Sequence, residues 1–124
     1  MNNQQTLLAG ALFGTLAVAL GAFGAHALKN LLTQNGRTEI YELAVRYHFY
    51  HALALLLIGI LMRAENYNLS ISALLIFFGV ILFSGSLYLY ALTGIRFLNF
   101  FTPVGGVLML AGWIALAYQV YKHN

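Results

Sequence analysis

The residues able to do chemistry in this 124-residue chain concentrate in one run, Tyr41-Glu42-Leu43-Ala44-Val45-Arg46-Tyr47-His48-Phe49-Tyr50-His51-Ala52. A carboxylate and a guanidinium four residues apart can pair on a helix. Alternatively, Arg46 can hold an anionic headgroup or ligand through its bidentate fork. His48 and His51, three residues apart, can reach a common metal ion, but such a site needs at least a third ligand. His26 is too shallow to meet His51, although it can approach His48. The favoured reading is a satisfied histidine, hydrogen-bonded to Ser84, Ser86, Tyr88 or a backbone carbonyl, with no metal and no cofactor. Ser84-Gly85-Ser86 lacks the glycine-flanked nucleophile turn, and no carboxylate stands ready to orient a base. Close helix packing explains those residues better, and no catalytic residue is assigned.

Each residue advances about 100° around a helix. Glu42, Arg46, Phe49, Tyr50 and Leu53 then share one side. Tyr41, Ala44, His48, His51, Leu55 and Ile58 share another. Counted back from Met62, Arg46 sits a few residues inside the hydrocarbon edge, shallow enough to snorkel, and His51 lies near mid-membrane, roughly 12 Å in.

The elements that must position these groups are four stretches nearly free of charge: Thr6–Leu28, Leu43–Met62, Ser70–Leu92 and Pro103–Tyr121. About 20 apolar residues cross a hydrocarbon core of about 30 Å. With 61% hydrophobic and 7% charged residues, the chain has no ordinary soluble surface. We read it as all-α: one integral membrane domain over residues 1–124, an antiparallel up-down bundle of four transmembrane helices at about 6–27, 39–63, 69–93 and 103–121. There is no cysteine, so disulfide and thiolate chemistry are excluded for the chain. Its only carboxylate side chains are Glu39, Glu42 and Glu65, all near helix ends, which leaves no deep carboxylate for a proton relay. The net charge of +3 is scattered and forms no nucleic-acid footprint.

Gly10-x-x-x-Gly14 and Ala17-x-x-x-Gly21 put notches along the first helix, with Gly14 and Gly21 expected where it meets another backbone. The same Gly-rich faces would suit a homo-oligomer. Ala25-His26-Ala27 resembles a signal-peptide cleavage pattern, but the leading residues carry no Lys or Arg and the apolar run is long, so the first helix is expected to be retained. Within the polar segment 28–38, Leu28, Leu31 and Leu32 beside Lys29, Asn30 and Gln34 read as a short amphipathic turn in the interface, and Asn35-Gly36 as a reversal. Thr38, Asn68 and Thr102 are expected N-caps, with Pro103 at the first helical position. Tyr41, Tyr47, Tyr50, Tyr88 and Tyr90 are expected to belt one face of the membrane and Tyr67, Tyr118 and Tyr121 the other; Trp113, mid-helix, is expected to be buried.

Four crossings return both termini to one side, and the excess of Lys and Arg near the first connection (residues 28–38, loop one) and the third (residues 95–101, loop three) favours termini outside. His26, Glu42, Arg46, His48, His51, Arg96 and Thr102 converge on the loop-one side. There Arg46, Arg96 and the free N–H groups at Pro103 are expected to hold a lipid phosphate or small anion, with the histidines lining the deeper wall.

Gly21-Ala22-Phe23-Gly24-Ala25-His26-Ala27-Leu28, the Tyr41–Leu55 run, Phe83-Ser84-Gly85-Ser86-Leu87-Tyr88 and Phe101-Thr102-Pro103-Val104-Gly105-Gly106 resemble, in order, the YgdD/YwdK family of small bacterial inner-membrane proteins (domain of unknown function four-two-three, related to a eukaryotic transmembrane protein). The resemblance implies a multi-pass protein of the bacterial inner membrane with about four helices. It supplies no reaction or substrate. The function expected is a non-enzymatic component whose partners are membrane lipids, including anionic headgroups, or another membrane protein. A small transporter or channel subunit is the alternative, and a metal- or haem-binding redox protein is less favoured.

Overall fold

The computed structural model describes residues 1–123. Its helices are α1 (Asn3–Ala25), α2 (Lys29–Gln34), α3 (Thr38–Ala64), α4 (Ser70–Thr93), a 3-10 helix over Arg96–Phe100, and α5 (Phe101–Lys122). Four helical stretches are long and apolar enough to cross a membrane: Asn3–Ala25, Thr38–Ala64, Ser70–Thr93 and Arg96–Lys122. They form an up-down bundle in which α1 packs on α3, α3 on α4 and α4 on α5. α1 barely approaches α4 at the backbone, so α3 and α4 are the inner helices and α1 and α5 flank them.

Small residues set these seams. On α1, Gly10, Ala17 and Gly24 recur every seven residues and turn toward α3. A Cβ at Gly10 would lie 3.0 Å from the Ala52 carbonyl oxygen and from the Leu56 nitrogen. At Gly59 of α3 a Cβ would meet Leu7. Ser72, Gly79 and Ser86 keep the same spacing on α4, opposite Gly105 and Gly112 of α5. A Cβ on Gly79 would lie 2.8 Å from the Met109 nitrogen, and one on Gly112 3.2 Å from the Ile76 nitrogen. A seven-residue repeat is the period of helices crossing at shallow, left-handed angles. This corrects the expectation for Gly14, where a Cβ meets nothing within 4 Å. Gly21 does face α3, but it meets the Val45 side chain, 3.3 Å from its Cγ1, and not a backbone. Four-residue spacing picked the wrong partner for Gly10: the seam follows position 17, and Gly14 is rotated out of it.

The helix ends also differ from expectation. α1 is capped at Asn2, whose side chain accepts from the Gln5 N–H while the Gln5 side chain accepts from the Asn2 N–H, a reciprocal capping box. Neither Thr38 nor Asn68 is an N-cap; Arg37 and Leu69 hold those positions without side-chain cap bonds. Thr102 lies inside α5 because the 3-10 helix runs directly into it, so Pro103 offers no free helix start. Gly36 (φ 66°) makes the turn before α3. Gly94 (φ 73°) closes α4 in the left-handed conformation, its N–H donating to the Tyr90 carbonyl at 2.8 Å.

Residues from the chain ends and loop two meet at one end of the bundle. The Met1 ammonium donates to Ser70 Oγ at 2.7 Å. Arg63 reaches Asn3, and Tyr67 stacks on His123 with ring centroids 3.7 Å apart. At the opposite end Leu32 of α2 is buried among Tyr41, Ala44, Leu87, Tyr88 and Ala91. α2 therefore folds back as a lid on that end.

Candidate functional site

The two faces of α3 separate as its periodicity dictates. Tyr41, Ala44, His48, His51, Leu55 and Ile58 are buried, while Glu42, Arg46, Phe49, Tyr50 and Leu53 are exposed. On the exposed side, α1 and α3 diverge and leave two adjoining hollows. The first, of about 220 Å³, lies at the loop-one end between α1, α2 and α3, and includes Gly21, Gly24, Thr38, Tyr41, Glu42 and Arg46 in its walls. The second, of about 300 Å³, is an almost wholly apolar groove lined by Ala17, Val18, Ala22, Phe49 and Tyr50. Gly21, Val45 and Arg46 belong to both, so the guanidinium side chain stands where the polar hollow opens into the apolar groove.

Glu42 and Arg46 are one turn apart, yet no guanidinium nitrogen of Arg46 lies within 4.0 Å of a carboxylate oxygen of Glu42. Among the described residues neither head group has a hydrogen-bond partner in the protein. Of the two readings the sequence leaves open for these residues, the Glu42–Arg46 ion pair is therefore not formed. Arg37 shows the contrast: its Nε donates to the Ala91 carbonyl at 2.9 Å and its guanidinium sits 5.8 Å from the Tyr90 ring centroid.

Arg37 went unnoticed in the sequence beyond its charge. It crosses 54 residues to bond the last turn of α4, where unpaired carbonyls carry partial negative charge. No spacing rule within loop one announces that partner.

The histidines occupy the opposite, interior face. His48 is 5% exposed, with Nδ1 2.9 Å from the Tyr88 hydroxyl and the Phe13 ring edge-on at 5.5 Å. Tyr88 also packs edge-on against Tyr41, whose hydroxyl donates to the Leu20 carbonyl of α1. Two hydrogen bonds joined by the Tyr41–Tyr88 ring contact thus link α1, α3 and α4. Tyr41 and Tyr88 are buried here and do not belong to the expected interfacial belt.

His51 Nδ1 lies 2.7 Å from the Tyr47 carbonyl, which can only accept, so Nδ1 carries the proton. Nε2 then accepts from the Trp113 indole N–H at 2.9 Å. Both nitrogens of this ring are occupied, and a metal at Nε2 would have to displace the indole. Trp113 itself is 43% exposed and not buried as expected: its N–H points inward while part of the ring faces outward. That bond joins α3 to α5, whose backbones are not in contact.

The remaining sequence candidates are dispersed. His26 is exposed, its Nδ1–H donating to Ala22, and it lines a separate outer hollow with Ala19, Phe23 and Ala27. Arg96 lines another with Phe97, Asn99 and Phe100. Thr102 shares a hydroxyl hydrogen bond with Ser86, which also donates to the Phe83 carbonyl. Ser84 donates to the Ala44 carbonyl across the α3–α4 seam at 2.8 Å. Of the seven residues expected to converge near loop one, only Glu42 and Arg46 share a hollow. Arg96 and the start of α5 lie in other surroundings, and the histidines line no wall of the Arg46 hollow.

A family model described as "Protein of unknown function (DUF423)" matches residues 20–106. The chain belongs to this family. The match confirms the resemblance drawn from the motifs, and it takes in the charged hollow as well as the His48–Tyr88 contact. A UPF0382 membrane protein of Staphylococcus saprophyticus is 44% identical over 116 residues, covering 94% of this chain and 96% of its own length. A UPF0382 membrane protein of Staphylococcus haemolyticus is 42% identical over 116 residues, covering 94% of each chain. No solved structure matches. With four apolar helices and relatives named as membrane proteins, this DUF423 member is a multi-pass membrane protein whose family has no described activity.

Proposed function

We propose that the protein is a non-enzymatic phospholipid-binding component of the bacterial inner membrane, holding a lipid against the α1–α3 groove through its phosphate. One observation carries this reading: the unpaired Arg46 stands at the junction of a polar hollow and an apolar groove. A phospholipid has the same order of parts, a phosphate above an acyl chain.

The depth agrees. α3 has 27 residues, and His51 is its midpoint. Arg46 is five residues nearer the loop-one end, about 7 Å from the midplane at ~1.5 Å per residue. The hydrocarbon edge lies about 15 Å from the midplane, and a snorkelling arginine spans much of that difference. A lone guanidinium facing hydrocarbon is costly, and a phosphate oxygen pair is the partner that fits its planar fork. In this reading both termini share one membrane side, opposite loop one, and the excess of Lys and Arg near loops one and three favours termini outside.

The test is lipid retention by the purified protein, measured by native mass spectrometry, for wild type, Arg46→Ala, Arg46→Lys and Ala22→Phe. Arg46→Ala is expected to lose bound phospholipid and Arg46→Lys to recover it in part, because lysine lacks the fork. Ala22→Phe fills the groove from the α1 side without altering charge and is expected to lower retention as well. Equal retention in all four proteins, at unchanged helicity, refutes the proposal.

A further inference from the structure

Resting on the phospholipid reading above, we infer that the α1–α3 site selects a zwitterionic headgroup with a primary ammonium, that of a phosphoethanolamine lipid, with phosphate on Arg46 and ammonium on Glu42. The observation is the pair of opposite charges in one hollow that do not bond to each other. At this spacing a glutamate four residues before an arginine would ordinarily pair with it on a helix surface. Here both head groups are exposed and stay more than 4.0 Å apart. Both face the same cavity of about 220 Å³. Charge complementarity therefore calls for a ligand carrying both signs and no net charge. A singly anionic headgroup would satisfy Arg46 and leave the Glu42 carboxylate beside a second negative group.

The vertical order distinguishes the two ends. Four residues of helix separate Glu42 from Arg46, about 6 Å along the axis, with Glu42 nearer the loop-one end. In a glycerophospholipid the phosphate joins the glycerol and the amine lies further out, two carbons beyond. Arg46, attached one helical turn deeper, and Glu42, attached nearer the loop-one end, follow that order along α3. The groove of Ala17, Val18, Ala22, Phe49 and Tyr50 continues below Arg46, where the acyl chain would follow.

The wall chemistry separates a primary ammonium from a trimethylated one. A quaternary ammonium is recognised by aromatic faces arranged as a cage. The single aromatic side chain in the hollow is Tyr41, which is buried with its hydroxyl committed to the Leu20 carbonyl. The acceptors on offer are the Glu42 carboxylate and the Thr38 hydroxyl, which suit the N–H donors of a primary amine.

The experiment supplies detergent-stripped full-length protein with equimolar phosphatidylethanolamine, phosphatidylglycerol and phosphatidylcholine of identical acyl chains, and reads bound species by native mass spectrometry. Wild type is expected to bind phosphatidylethanolamine about tenfold over each of the others, the discrimination of one charge-assisted hydrogen bond. Glu42→Gln is expected to lower phosphatidylethanolamine binding about tenfold, to the level of the other two lipids, and Glu42→Lys to reverse the preference toward phosphatidylglycerol. Arg46→Ala is expected to lose all three lipids. If Arg46→Ala loses lipid while wild type shows no preference, or Glu42→Gln keeps it, the headgroup inference fails and phospholipid binding stands. If Arg46→Ala binds as wild type does, the phospholipid reading fails and the headgroup inference falls with it.

Discussion

Gly24→Ala would place a methyl group where the Tyr41 ring lies. The added Cβ would overlap the ring edge, with Cδ1 at 2.8 Å and Cζ at 3.2 Å. Tyr41 cannot easily retreat. It is 1% exposed, its hydroxyl is bonded to Leu20 of α1, and Tyr88 packs edge-on behind it with centroids 5.2 Å apart. Overpacking of this kind costs about 1–3 kcal/mol. Moving the ring would also weaken its hydrogen bond, worth about 1 kcal/mol. Replacing glycine by alanine in a helix returns about 1 kcal/mol. The net expectation is a loss of about 1–3 kcal/mol. Gly14→Ala is the internal control, because it lies on the same helix and its Cβ meets open space; it should be neutral or stabilising by up to about 1 kcal/mol. Unfolding in mixed dodecylmaltoside–dodecylsulfate micelles, followed by far-ultraviolet circular dichroism, gives both values. In a Tyr41→Ala background the cost of Gly24→Ala should vanish, which ties the effect to that ring. Equal stability of the two single variants, or a cost that persists without the ring, would refute the reasoning.

Two further outcomes are expected. Trp113→Phe keeps most of the apolar contact and removes the indole donor to His51, so it should cost about 0.5–1.5 kcal/mol in the same unfolding assay; because Trp113 is the single tryptophan, His51→Leu should also shift its fluorescence emission. Arg37→Ala removes the bond to the Ala91 carbonyl and the contact with Tyr90, so amide exchange over residues 29–37 should quicken while that of α4 near Val80 is unchanged.

The helices were legible because the bilayer imposes one solution: runs of about 20 apolar residues must satisfy their backbone within a helix. The division of α3 into a buried face with His48 and His51 and an exposed face with Glu42 and Arg46 also followed from about 100° per residue. Helix partners did not follow so readily. Gly10 has two small residues ahead of it, Gly14 and Ala17, and only the crossing angle of α3 decides between spacings of four and seven. Long-range hydrogen bonds were hidden for a related reason. The Trp113–His51 bond spans 62 residues and the Arg37–Ala91 bond 54, and each depends on how helices are juxtaposed in space. The Thr102 cap failed because local sequence cannot tell that Arg96–Phe100 coils into a 3-10 helix and supplies the turn that Pro103 would otherwise have begun. Of the candidate site, Glu42 and Arg46 were legible together because they share one helix; the expectation that Arg96 and the start of α5 would join them required knowledge of which helices flank α3.

The most direct test of the account is to photolabel the protein in bilayers with a phospholipid carrying a diazirine in its acyl chain, and to map the adducts by peptide mass spectrometry. Lipid held at Arg46 should concentrate adducts on Ala17, Val18 and Ala22 of α1 and on Phe49 and Tyr50 of α3, and Arg46→Ala should abolish that concentration. Adducts spread evenly over the outward faces of all four spanning helices, or a pattern unchanged by Arg46→Ala, would contradict it.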